Sequence, residues 1–292
     1  MRPAQLLSTQ ALHPAWVPDS LLNWCEFDYE VTWLIAEFFN TISNFWYMAF
    51  AVFGIYNAFR YHYETRFILA HVALFVVGFG SALFHGTLTY NAQLLDEVPM
   101  LFVAAIILYC CVSLQSPRPP RWVPWTLLAY VLVTSANYIY SREAEDFQNA
   151  FSAEGLMIGA LIVLNRKYFS AAPVAVVNDR VDEGFSETAA DGVDGGAEED
   201  EQRAYTPDQW SRELASRTPI VGTVRVISDR DAGKLLRMVI GSFAAALAVW
   251  VIDNLACESL LIPVKLSLGY PLRVLFEFHG WWHFFSGVHT YA

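Results

Sequence analysis

Residues 279–283 read HGWWH, so His279 and His283 stand four residues apart and project from one face of a helix. That spacing suits two nitrogens on one metal ion. A third imidazole, His85, lies in SALFHGTLTYNAQLLDEVPM, which also carries Ser81, Gln93, Asp96 and Glu97. Ser81 precedes His85 by one helical turn and shares its face. Three histidines and an open fourth position describe a catalytic zinc centre, with Zn–N distances of roughly 2.0–2.1 Å. Water on such an ion drops from a pKa of about 15.7 to about 7. Asp96 would take its proton and return it to a leaving group, and Ser81 would hydrogen-bond a developing oxyanion. The bland alternative is that HxxxH is a common pattern and an intramembrane histidine often serves only packing. His13, His62, His71 and His289 read as structural or solvated.

A second constellation is NWCEFDYEVTWLIAEFFNTISN, residues 23–44. Glu26, Asp28 and Glu30 precede the first expected helix, Glu37 falls inside it, and Asn40 and Asn44 extend its polar stripe. Carboxylates with backbone carbonyls suit a hard cation with six to eight oxygen ligands, such as calcium. An acidic tail on a solvated surface is the competing reading, and both stay open at this point.

These residues need elements to position them, and composition says which kind. The 292 residues are 55% hydrophobic and 16% charged, with 10 Trp, 14 Tyr and 21 Phe. That is too little charge to cover a soluble protein, so the fold class is all-α, a polytopic membrane protein. Seven segments approach the ~20 apolar residues that a bilayer crossing requires: 32–58, 66–88, 93–115, 122–140, 146–169, 235–257 and 271–291. We expect one seven-transmembrane domain over 1–292, with a lumenal N-terminal segment at 1–31. Residues 1–20 lack the apolar core of a cleavable signal peptide. The net charge of −11 is concentrated in residues 170–230, which hold 13 acidic and 6 basic residues. Segment 170–234 therefore reads as a disordered acidic cytosolic loop. No basic patch points to nucleic acid, and nothing implies an obligate protein partner.

Lysine and arginine set the orientation. Arg60, Arg66, Arg118, Arg121, Arg166, Lys167, Arg230, Lys234 and Arg237 fall on one side, and only Arg142, Lys265 and Arg273 on the other. The bias places the N-terminus in the lumen and the C-terminus in the cytosol. His85, Asp96, His279 and His283 then share one membrane depth, although they lie far apart in sequence. Ionisable groups at such depth are functional candidates by default. Cys25 and Cys257 both fall on the lumenal side, where a disulfide between them is permitted; Cys110 and Cys111 read as packing residues.

Taken together, SALFHGTLTYNAQLLDEVPM, NWCEFDYEVTWLIAEFFNTISN, WVIDNLAC and HGWWH resemble the alkaline ceramidases of the CREST superfamily, in order and spacing over most of the chain. The resemblance implies hydrolysis of the amide of ceramide, dihydroceramide or phytoceramide in the bilayer, giving a sphingoid base and a fatty acid, in the endoplasmic reticulum or Golgi. It implies catalytic Zn²⁺ on His85, His279 and His283, acid/base chemistry at Asp96 and a catalytic Ser81. It also implies Ca²⁺ on Asn23, the Trp24 carbonyl, Glu26, Asp28 and Glu37. The family's first calcium position is usually Asp; Asn23 offers a carbonyl oxygen with one less charge. The acidic segment departs from the family pattern. A zinc-containing seven-helix receptor of the same superfamily is the alternative; Ser81, Asp96 and the calcium-type N-terminus distinguish the hydrolase from it.

Overall fold

The computed structural model describes residues 15–61, 63–113, 119–171 and 229–291, with only the helical backbone at 165–171 and 229–232. Among these residues it contains helices and no strands: α1 (Phe38–Ser43), α2 (Phe45–Arg60), α3 (Thr65–Thr87), α4 (Tyr90–Ser113), α5 (Trp122–Ser141), α6 (Ala144–Ala171), α7 (Asp229–Leu255), α8 (Ile262–Leu268) and α9 (Phe278–Tyr291). Five stretches are long and apolar enough to cross a membrane: Phe38–Arg60, Thr65–Thr87, Tyr90–Ser113, Ala144–Leu164 and Gly233–Leu255. The other two expected spans are less clear-cut. α5 interleaves its aliphatic residues with Trp, Tyr, Thr, Ser and Asn, and α9 has 14 residues.

Several boundaries differ from expectation. The first helix begins at Phe38 rather than at 32. Residues 29–37 use their backbone groups elsewhere: Ala36 N–H donates to Gly86 O at 3.0 Å and Glu37 N–H to His85 O at 2.9 Å, which lashes the segment to the end of α3. Glu37 therefore stands just before α1, not inside a helix. The Glu26 carboxylate then accepts from Phe39 N–H at 2.6 Å and Asn40 N–H at 2.7 Å, satisfying donors that a helix start leaves unpaired. Next, the last helix begins at Phe278 rather than at 271, because Leu272–Phe276 forms a 3₁₀ turn. Finally, the stretch after α7, read as a plain connection, folds into a π-helical turn, Cys257–Leu261, followed by α8. The acidic loop is bounded more tightly than expected, since α6 runs to Ala171 and α7 starts at Asp229. The rest of that loop, with His13 and His62, lies outside the described residues.

Packing follows the apolar faces. Tyr47, Ala51, Leu74, Val77 and Val103 join α2, α3 and α4 in one core, and Leu101, Ala105, Val131, Tyr138, Phe147 and Ala150 join α4, α5 and α6 in another. Burying a large apolar side chain is worth roughly 1.5–3 kcal/mol against water, although lipid-facing surface has no such drive. Close helix approach therefore depends on small residues. At Gly80 on α3 an added Cβ would sit 2.1 Å from Leu95 O and 3.0 Å from Asp96 N, so α4 rests its backbone on that glycine. Pro99 lacks the N–H that would have bonded Leu95 O, which leaves that carbonyl free to make the approach.

Candidate active site

α3 delivers Ser81 and His85, α4 delivers Asp96, and the first two turns of α9 deliver His279 and His283. All five side chains are buried. One nitrogen from each of His85, His279 and His283 lies within 4.8 Å of the other two. Ring centroids are 4.9 Å apart for His85–His279, 5.1 Å for His85–His283 and 4.6 Å for His279–His283. His85 Nε2 and His279 Nδ1 are buried with no hydrogen-bond partner among the described residues. Buried polar atoms rarely stay unsatisfied in native proteins. Three converging imidazole nitrogens of this kind fit a nitrogen-preferring ion such as zinc. The Ser81 hydroxyl hydrogen-bonds the Asp96 carboxylate on the neighbouring helix, a contact that the Gly80 approach makes possible.

Residues 24–43 support each imidazole from outside. Glu37 Oε2 makes a short hydrogen bond with His85 Nδ1. The Trp24 indole stacks on His279, with centroids 3.7 Å apart and planes inclined by 18°. Ser43 Oγ lies 2.7 Å from His283 Nδ1. An outer partner of this kind fixes ring orientation and tautomer. Sequence reading assigned Trp24 only a carbonyl and missed Ser43 as a partner. The signal for Ser43 was its place one turn beyond Asn40, on the stripe that Glu37 begins.

The calcium-type residues are drawn into one buried segment. Asn23 Nδ2 donates to Asp28 Oδ2 at 2.9 Å, and Trp24 N–H donates to Glu37 Oε1 at 3.1 Å. Burial raises the Glu26 carboxyl well above its ordinary pKa, and the negative charges of Glu277 and then Glu37 add to the shift. The oxygen chemistry of these side chains suits a hard cation, but among the described residues Glu26, Asp28 and Glu37 do not converge as the three histidines do, and both Glu26 oxygens already cap α1. Cys25 and Cys257 are joined by a disulfide with Cα atoms 5.7 Å apart. Beside it, buried Lys265 donates from Nζ to Cys25 O at 2.9 Å and to Glu277 Oε2 at 2.5 Å. Cys25 N–H donates to Asp253 Oδ2 at 3.2 Å. None of Asp253, Lys265 and Glu277 was singled out from sequence as a partner, because each acts on residues that are distant in the chain. His71 and His289 stay outside the cluster: His71 seats its ring against Gly54, and His289 Nδ1 meets Val239 O at 3.1 Å.

Among the described residues, an all-helical bundle with five membrane-length apolar helices and a buried three-histidine cluster beside a serine and an aspartate defines an integral membrane protein with a cluster that could hold a metal ion. The ceramidase family profile matches residues 17–292, and the chain belongs to that family. It is 29% identical to alkaline ceramidase 3 of Mus musculus over 280 residues, covering 94% of this chain and 82% of that protein. It is 28% identical to an alkaline ceramidase of Saccharomyces cerevisiae, covering 93% and 73%. An alkaline ceramidase of Arabidopsis thaliana is 37% identical over 133 residues, covering 44% and 50%.

Proposed function

We propose that this chain is a zinc-dependent amide hydrolase that cleaves ceramide, dihydroceramide or phytoceramide within the membrane to a sphingoid base and a free fatty acid. In this reading seven helical segments cross the bilayer, the histidine end faces the lumen of the endoplasmic reticulum or Golgi, and the C-terminus is cytosolic. The observation that carries it is the convergence of three buried imidazole nitrogens within 4.8 Å, beside Ser81 and Asp96, in a member of the ceramidase family. His85, His279 and His283 would hold the metal. A bound zinc ion supplies a Lewis acid and acidified water at neutral pH.

The remaining steps belong to the chain. Asp96 accepts a proton from the attacking water and later delivers it to the amide nitrogen as the C–N bond breaks, so the amine departs neutral and the new C–O bond leaves a fatty acid. Ser81 turns its hydroxyl from Asp96 to the carbonyl oxygen as charge develops there. The apolar helix faces accommodate the two hydrocarbon chains. Asn23, the Trp24 carbonyl, Asp28 and Glu37, with Glu26, would hold calcium at the same end. Because Glu37 and Trp24 also contact His85 and His279, that ion would brace the histidine centre.

The deciding experiment uses purified protein on a ceramide panel, with and without a zinc chelator. His279→Ala should lose bound zinc and hydrolysis together; full activity in zinc-free protein would overturn the mechanism. Asp96→Asn should keep its zinc and lose about 10²–10⁴-fold in kcat. Near-normal turnover would remove Asp96 from its role.

A further inference from the structure

We propose that Ser43 is a positioning residue of the histidine centre, a hydroxyl whose oxygen accepts a hydrogen bond from His283 Nδ1–H and so fixes the tautomer that presents Nε2 to His85 and His279. This inference rests on reading the cluster as a zinc site. It follows from donor and acceptor accounting. A serine hydroxyl has one proton and two lone pairs. Ser43 Oγ donates that proton to Asn40 O at 2.9 Å, one turn back in α1. With that proton engaged, it offers its lone pairs to His283 Nδ1, 2.7 Å away. The Asn40 carbonyl also lies within reach of the imidazole, and it is purely an acceptor. Both groups place the hydrogen on Nδ1 and leave the Nε2 lone pair for the cluster.

The surroundings hold Ser43 to this task. α1 is six residues long, with its first turn fixed by the Glu26 carboxylate and its far end by Asn44, whose Nδ2 donates to Asn40 O at 2.9 Å. On the facing helix an added Cβ at Gly280 would sit 3.4 Å from Ser43 Oγ, an ordinary van der Waals distance, so α9 packs directly beside Ser43. His85 reaches the same tautomer by a different route, because the Glu37 carboxylate has only lone pairs to offer. One imidazole is thus set by a charged acceptor and another by a neutral hydroxyl relay.

The test compares full-length wild type, Ser43→Ala and Ser43→Thr in detergent. Zinc affinity is measured by chelator competition, and site geometry by the absorption spectrum of cobalt(II)-loaded protein. Ser43→Ala should weaken zinc binding about 10–100-fold and shift the cobalt bands. Ser43→Thr, which keeps the hydroxyl, should restore both. Unchanged affinity and spectrum in Ser43→Ala overturn the inference, and so does a threonine variant as impaired as the alanine one, since side-chain volume would then be the cause. If Ser43→Ala does not fold, Ser43→Cys, of similar size but a poor hydrogen-bond partner, replaces it with the same expectations. Wild-type protein that binds no zinc would remove the zinc reading itself, whereas zinc-binding wild type with an indifferent Ser43→Ala removes only the role of Ser43.

Discussion

Glu37 and Glu154 are both fully buried carboxyl groups in the same apolar bundle. Glu37 sits among donors: Trp24 N–H, Asn40 Nδ2 at 3.1 Å and His85 Nδ1 all point at it. Neither oxygen of Glu154 has a hydrogen-bond partner among the described residues. The nearby Tyr130 hydroxyl donates instead to Ala150 O at 3.2 Å. The cause is local backbone structure. Glu37 precedes a short helix in a segment whose chain folds back irregularly, so free N–H groups and polar side chains converge on it. Glu154 lies inside α6, where the helix consumes its own N–H groups, and residues one turn away, Ala150 and Ile158, face alanine and leucine on α4. Burial alone therefore does not mark a built polar site; converging donors do, whether from irregular backbone, as at Glu37, or from facing helices, as at Asp96.

The comparison is strained most by removing one member of a satisfied buried pair. Lys265 is fully buried and serves both Glu277 and the Cys25 carbonyl. Lys265→Met would leave the Glu277 carboxyl without its cation beside the disulfide. Breaking such a pair costs up to about 3–5 kcal/mol when the remaining charge stays buried, and here the Arg273 charge near Glu277 offsets part of it. Thermal unfolding followed by a thiol-reactive dye should show a large fall in melting temperature. Stability close to wild type would mean that solvent reaches this site, and that its apparent enclosure is irrelevant.

The next effect should come from Glu37. Glu37→Gln keeps the size but replaces an acceptor oxygen with an NH₂ group, turning a donor towards Trp24 N–H or His85 Nδ1–H. Loss of a carboxylate partner on a ligating histidine typically weakens metal affinity about 10–100-fold. Zinc competition measurements on Glu37→Gln should show that loss, with turnover falling at limiting zinc and recovering as zinc is raised. An unaltered affinity would show that Glu37 supports the chain and not the histidine.

The same contrast explains what sequence revealed. Helices α3, α4 and α6 were legible because apolar runs near ~20 residues have one structural outcome in a bilayer. The convergence of His85, His279 and His283 could be anticipated from matched depth, since helix length converts residue number into height. The irregular chain of residues 15–37 was not legible. Residues 32–37 are apolar enough to extend a helix, yet Ala36 and Glu37 donate to the end of α3 instead. The Trp24 stack, the Ser43 contact and the Lys265–Glu277 pair likewise depend on three-dimensional neighbours that no local pattern encodes. Lys265 was visible only as a charge bearing on orientation.

The smallest expected effect has the opposite sign. Glu154 in α6 gives up its hydrogen bonds to water on burial and receives none in return. A buried polar group left unsatisfied costs about 1–3 kcal/mol. Replacement of a buried ionisable group by an apolar residue of similar volume is often neutral or stabilising. Glu154→Leu should therefore raise the melting temperature, with zinc affinity and ceramide turnover unchanged, whereas Glu154→Gln, which stays polar, should gain little. A stabilised and active leucine variant would establish that the two buried carboxyls differ in kind: one held by its surroundings, the other tolerated by them. A leucine variant that is equally stable but slower in turnover would reverse this conclusion. The carboxyl would then be kept for contact with something that enters the bundle during catalysis, and Glu154 would join Glu37 as a built polar site.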